Sequence, residues 1–209
     1  MKTIKVRQHP LIIRLTHWLN AVALTIMVMS GLQIYNASPV LPFDWEFPKY
    51  LTLGGWLQGA RQWHFLGMWI LAINGTIWAV YNVASRHGRE TTIFTKNDVG
   101  GVWPMILYYL RIRKQHPPVK KYNALQKSAY TFIALVGVGA LLTGVAIYMP
   151  VQFSWITWLF GNYDTARIWH FIFMSILVLF VCGHLFMVAI SGWGNFISMI
   201  TGNKKERVA

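Results

Sequence analysis

Four long apolar blocks, at about residues 11–35, 63–83, 127–148 and 167–191, constrain this 209-residue chain more than any other feature. Each reaches the roughly 20 residues a helix needs to cross a hydrocarbon core about 30 Å thick. Inside lipid a backbone must satisfy its own N–H and C=O groups, so such blocks read as helices. The remainder is connection and leaves no room for a second domain of ordinary size. Residues 1–209 therefore read as one all-α integral membrane domain, a bundle of four transmembrane helices. The start, "MKTIKVRQHPLIIRLTHW", is basic, but its apolar run is too long for a signal-peptide core and no small-residue cleavage site follows. It reads as a retained first span.

The net charge of +13 raises the possibility of nucleic acid, and its distribution argues against it. Lys2, Lys5, Arg7 and Arg14 precede or open the first span. Nine basic residues lie between Arg86 and Lys127, and Lys204, Lys205 and Arg207 follow the last span. Sixteen of nineteen basic residues thus fall on one side of a four-span chain, leaving Lys49, Arg61 and Arg167 on the other. The positive-inside rule places both termini and the middle loop in the cytoplasm of a multi-pass protein of the bacterial inner membrane. Membrane lipid, not nucleic acid, is the expected surrounding.

The connections carry their own signals. Asn36–Ala60 has three early prolines and a glycine pair, and reads as a periplasmic loop with a short surface helix. Val102–Lys114, apolar and ending in basic residues, fits an interfacial helix on the cytoplasmic face. Val151–Phe160 carries two tryptophans, which favour the periplasmic interface. One repeat stands out. "ARQWHFLGMWIL" (Ala60–Leu71) and "ARIWHFIFMSIL" (Ala166–Leu177) agree at eight of twelve positions, and the first and third spans end alike, as "SGLQIY" and "TGVAIY". The second and fourth spans are expected to face one another.

Seven histidines sort by place. His9, His87 and His116 lie in polar connections and read as ordinary surface residues. His17, His64, His170 and His184 lie within spans, where ionisable groups are costly and usually functional. His170 and His184 are fourteen residues apart on one helix, a climb of about 21 Å that returns both rings to one face. His17 and His184 share a cytoplasmic depth; His64 and His170 share a periplasmic one. No acidic residue accompanies them within the spans, so hard cations and a mixed proton path fit poorly. Zinc sites usually need three or four protein ligands. Six-coordinate haem needs two imidazoles from facing helices, and its macrocycle suits an apolar bundle. Two haems b, one per layer, account for all four residues. The single cysteine, Cys182, excludes an internal disulfide, a cysteine-ligated cluster and c-type attachment, and reads as a small buried hydrophobe.

Arg14, Arg61 and Arg167 each stand three residues before a histidine of this set. Snorkelling at a helix start suffices for Arg14. Arg61 and Arg167 run against the charge bias and suit the clamping of haem propionates, since an arginine pairs bidentately with a carboxylate.

At these residues the chain resembles the b-type cytochrome subunits of membrane formate dehydrogenases and nickel–iron hydrogenases, a superfamily that includes bacterial cytochrome b-561. The resemblance covers essentially the whole chain and rests on "RLTHW", "WHF", "KYNALQK" and the His170/His184 spacing. It implies axial pairs His17/His184 on the cytoplasmic haem and His64/His170 on the periplasmic one. It also implies a quinone site beside the cytoplasmic haem near Asn123 and Gln126, with Tyr122 and Lys127 close by. The same two amides can instead form a helix N-cap and capping box, and both readings stand. The expected function is electron transfer between quinone or quinol and a periplasmic redox subunit, a molybdopterin oxidoreductase or a hydrogenase. The short length leans toward the molybdopterin type. The alternative is a stand-alone superoxide:quinone oxidoreductase, which needs a basic entrance at the outer haem. A ferric reductase would carry paired histidines on two helices and a flavin domain, and this sequence has neither.

Overall fold

The computed structural model describes residues 2–43, 45–118, 122–190 and 192–208, and omits the side chains of residues 2–4, 86, 87, 89 and 205–208. The expectation for His87, and the two lysines that open "KKYNALQK", lie outside this set. Four helices are long and apolar enough to cross a membrane: α1 (Leu11–Ala37), α2 (Leu57–Ala84), α5 (Ala124–Tyr148) and α7 (Tyr163–Ile190). Shorter helices lie between and after them, α3 (Arg86–Thr91), α4 (Val99–Tyr109), α6 (Ser154–Leu159) and α8 (Trp193–Thr201). α1 begins where its apolar block does, at Leu11, while α2, α5 and α7 begin earlier than theirs, because polar first turns such as "LQGARQ" and "YDTAR" still close helical hydrogen bonds. α4 and α6 occupy the two expected interfacial segments. Between α1 and α2 the described residues hold a 3₁₀ turn, Lys49–Leu51, rather than a surface α-helix, as the prolines there lack the N–H that a helix needs.

The bundle is two hairpins. α1 packs closely on α2, and α5 on α7; no comparably close backbone approach joins the hairpins among the described residues. Each hairpin is tightened by one glycine, and the repeat places the two on opposite helices. In the first, a Cβ on Gly67 of α2 would meet Ile26 and Met27 of α1 at 3.0–3.1 Å. In the second, a Cβ on Gly139 of α5 would meet the Phe173 ring of α7 at 2.7 Å. Phe173 aligns with Gly67 in the repeat, so small and large have changed places. Asn74, buried on α2, adds a polar clamp by donating to Thr16 O (2.8 Å) and Asn20 Oδ1 (2.6 Å) on α1.

Between the hairpins the contacts are aromatic: Tyr35 with Phe171 at 5.1 Å and Phe65 with Tyr148 at 4.6 Å between centroids. Ala146, Ile156 and Ala166 pack together where α6 folds back on α5 and α7. At the other end the chain termini pair as an antiparallel ribbon, β1 (Lys2–Arg7) with β2 (Asn203–Val208), in the register Lys5↔Lys205. Gly202, with φ 83°, ends α8 and turns the chain into β2; its carbonyl accepts from the N–H groups of Gln8 and His9. The ribbon therefore brings both termini to one face.

Candidate functional site

α7 carries His170 and His184, and each meets a histidine of the other hairpin. His170 faces His64 of α2, with ring centroids 6.2 Å apart and planes at 67°. His184 faces His17 of α1, at 6.0 Å and 61°. An imidazole nitrogen binds a first-row metal at about 2 Å, and the ring centroid lies about 1 Å behind it. Two imidazoles on opposite faces of one iron thus have centroids about 6 Å apart. Both pairs meet that spacing, and they bridge helices whose backbones stay apart. The residues fit a haem in each layer.

The His64/His170 pair is held from behind. His64 Nδ1 lies 3.0 Å from Ser30 Oγ on α1, and His170 Nδ1 lies 3.0 Å from Thr143 Oγ1 on α5. Ser30 and Thr143 open the matching "SGLQIY" and "TGVAIY" segments, whose likeness is visible in the sequence. Their contact with the histidines is not, because it depends on how neighbouring helices register. Among the described residues the inner pair has only ring contacts, His17 with Trp18 and His184 stacked on Phe180.

The three arginines differ in their surroundings. Arg167 donates through Nη2 to Ser38 O (2.7 Å) and Ser38 Oγ (2.9 Å), and stands 3.8 Å from Asp164. It staples the start of α7 to the end of α1. Arg61 is exposed, with its guanidinium 6.0 Å from the Phe65 ring. Arg14 donates to the Ile200 carbonyl in the last turn of α8, while its Nε is buried with no partner among the described residues. The Tyr35 hydroxyl is a second buried donor without a partner among the described residues, and its ring packs on Phe171, the neighbour of His170.

At the start of α5 the capping box is present. Gln126 N donates to Asn123 Oδ1 (2.8 Å) and Asn123 N to Gln126 Oε1 (3.0 Å). Asn123 Nδ2 also reaches the Tyr109 hydroxyl of α4 at 3.3 Å. Lys127 pairs with Asp98 at 3.0 and 3.2 Å, docking the start of α4 against α5. Tyr122 packs edge-on against Tyr130 at 5.7 Å. Burial, helped by Tyr130, pushes the Tyr122 phenol up to about 12, so it keeps its proton at neutral pH. The structure thus gathers all four residues at one end of α5. Of the surface histidines, His116 is exposed and packs on Tyr108, and His9 is half-buried beside the ribbon.

Four apolar spans with two facing histidine pairs define a helical membrane cytochrome. Residues 8–202 match the prokaryotic cytochrome b561 family, and the chain belongs to it; membership implies haem b. It is 44% identical over 195 residues to the "Putative protein-methionine-sulfoxide reductase subunit YedZ1" of Azospira oryzae, covering 93% of this chain and 96% of that protein. It is 28% identical over 192 residues to the "Probable Ni/Fe-hydrogenase B-type cytochrome subunit" of Azotobacter chroococcum, covering 85% and 77%. The "Probable Ni/Fe-hydrogenase 1 B-type cytochrome subunit" of Escherichia coli is 26% identical over 192 residues, covering 84% and 78%.

Proposed function

We propose that the chain is a dihaem electron conduit of the bacterial inner membrane, linking the quinone pool to a periplasmic oxidoreductase. The observation that carries this is the pair of cross-hairpin histidine contacts, 6.0 and 6.2 Å between centroids, set about 21 Å apart along α7. Bound haem supplies one-electron redox chemistry, and the protein supplies ligands, orientation and surroundings. His17 and His184 hold the inner haem, His64 and His170 the outer. Arg14 Nε and the Tyr35 hydroxyl, buried and unmet, suit propionate oxygens on the inner and outer sides, and Arg61 adds an exposed positive charge at the outer edge. Positive-inside charge puts the ribbon, α4 and the start of α5 in the cytoplasm.

The quinone site belongs at the start of α5. Capping and quinone binding are compatible there: the box uses Gln126 Oε1 and leaves its NH₂ group to donate to a quinone carbonyl. The Tyr122 phenol, protonated at neutral pH, lies beside it. Lys127, neutralised by Asp98, and Asn123, tied to Tyr109, shape the site rather than exchange protons.

The relative at 44% identity is described as a subunit of a methionine-sulfoxide reductase. A partner reductase fits a chain whose residues 8–202 match a cytochrome family, and electrons would then run from quinol outward. A stand-alone superoxide:quinone oxidoreductase needs an open basic entrance, and Arg167 is already committed to Ser38. The test is quinol reduction of the haems in the purified protein. Gln126→Leu is expected to slow it at least tenfold while dithionite still reduces both haems; an unchanged rate would move the quinone site elsewhere.

A further inference from the structure

We infer that Ser30 and Thr143 are positioning residues for the outer haem, each accepting the Nδ1–H of one axial histidine and so fixing its tautomer and ring plane. The inference rests on reading His64 and His170 as axial ligands. Both hydroxyls are fully buried. Each lies 3.0 Å from an imidazole Nδ1. The direction of those bonds follows from where the hydroxyl protons go. Ser30 Oγ donates to Ile26 O at 2.6 Å, and Thr143 Oγ1 to Gly139 O at 2.8 Å, each one turn back on its own helix. A hydroxyl has a single proton. With that proton spent on the carbonyl, the oxygen accepts from the ring, and the Met27 and Ala140 carbonyls beside the two hydroxyls accept from the His64 and His170 rings as well. Nδ1 therefore carries the hydrogen, and Nε2 presents its lone pair, the form that binds iron.

The following glycines complete the cradle. A Cβ on Gly31 would lie 3.5 Å from His64 Cε1, and one on Gly144 would lie 3.3 Å from His170 Cε1. At Gly144 the ring would have to give by a few tenths of an ångström, whereas at Gly31 the contact is ordinary van der Waals packing. Two Ser/Thr–Gly pairs, on α1 and α5, thus grip two histidines, on α2 and α7, with the same geometry. The gripping is confined to the outer layer. Among the described residues no hydrogen bond reaches the ring of His17 or His184. In the repeat, the places matching these two are Tyr130 and Trp78, so the inner layer has no duplicated cradle.

A hydrogen-bond acceptor behind a ligating imidazole raises its basicity and fixes its orientation; losing such a partner typically costs about 10–100-fold in metal affinity. A more basic ligand favours the ferric state, so the two hydroxyls hold the outer haem's potential down. Fixed planes at a large angle to one another also give a strongly anisotropic low-spin ferric EPR signal. The chain uses its repeat to build one rigid haem site and leaves the other to ring packing.

The experiment uses the full-length protein in detergent or nanodiscs, with the inner haem as internal control. Thr143→Val is nearly isosteric and Ser30→Ala leaves little space. In each, haem transfer from the outer site to a scavenging apoglobin is expected to be about tenfold faster. The outer midpoint potential should rise, and the outer EPR signal should change its anisotropy. Ser30→Thr and Thr143→Ser exchange one hydroxyl for the other and should behave as wild type. Complete loss of the outer haem with the inner retained supports the inference if the hydroxyl exchanges keep both. Unchanged retention, potential and line shape in Thr143→Val and Ser30→Ala would overturn it, as would equal damage to both haems. If the wild-type protein has no bis-imidazole outer haem, the axial-ligand reading itself fails, a result distinct from either.

Discussion

Arg61 and Arg167 occupy equivalent places in the repeat, one turn toward the water from equivalent histidines, yet the fold uses them differently. Arg167 spends its Nη2 on the chain reversal after α1. Arg61 lies over the Phe65 ring, its guanidinium carbon 6.0 Å from the centroid. A positive charge near an iron favours its reduced form, so Arg61→Gln should lower the outer midpoint potential by roughly tens of millivolts, less in high salt. Redox titration should show the inner haem unmoved. At the other face, Asp98 feels burial pushing its carboxyl up, but the Thr95 N–H and hydroxyl and the Lys127 ammonium outweigh it and hold it below the usual range. Its contribution to stability is complete above the unfolded value of about 3.9 and is lost as the pH falls through the lower folded value. Asp98→Asn should cost about 1 kcal/mol at pH 7, since the pair is partly screened by solvent. The variant should also destabilise less than wild type between about pH 4 and 2. Thermal unfolding in micelles at the two pH values measures both effects.

At the level of helices, the spans were legible because lipid leaves an apolar run of that length few alternatives. The histidine layers were legible because helical rise converts spacing into depth. The capping box was legible as a local pattern, Asn followed three residues later by Gln. What escaped depends on contacts remote in sequence. The ribbon joins residues about two hundred positions apart, and its strands carry too much charge to show an apolar alternation. α8, from Trp193 to Thr201, is too short to stand out beside a span. Ser30 and Thr143 were visible as repeated residues but not as partners of histidines on the next helix. Asn74 is of the same kind: an asparagine in an apolar helix signals an interhelical bond without saying to what. Its two bonds reach residues 16 and 20, on either side of His17. Asn74→Leu should destabilise the first hairpin by about 0.6–2 kcal/mol, and denaturant unfolding of the purified protein should read it. Loss of both bonds next to His17 should also loosen the inner haem more than the outer.

For the whole molecule, two hairpins tied by a ribbon and by Arg167 form a frame whose halves meet through aromatic rings and histidine pairs rather than through close backbone packing. Such a frame suits flat apolar groups held between its halves. It places one histidine pair toward each end of the spans, with the phenol and amides of the α5 start at the basic end. The repeat explains the outer layer, where both halves contribute a histidine and a hydroxyl alike. The inner layer breaks it, with one histidine from α1 and one from α7. The central claim is that these are two separate bis-histidine haems, not one site and two packed rings. It is tested by pyridine haemochrome quantitation with low-temperature EPR on the wild-type protein and four single variants. The account predicts two low-spin haems b per wild-type chain, with one signal lost in both His64→Ala and His170→Ala and the other lost in both His17→Ala and His184→Ala. One haem per chain, or variants of one pair removing different signals, would contradict it.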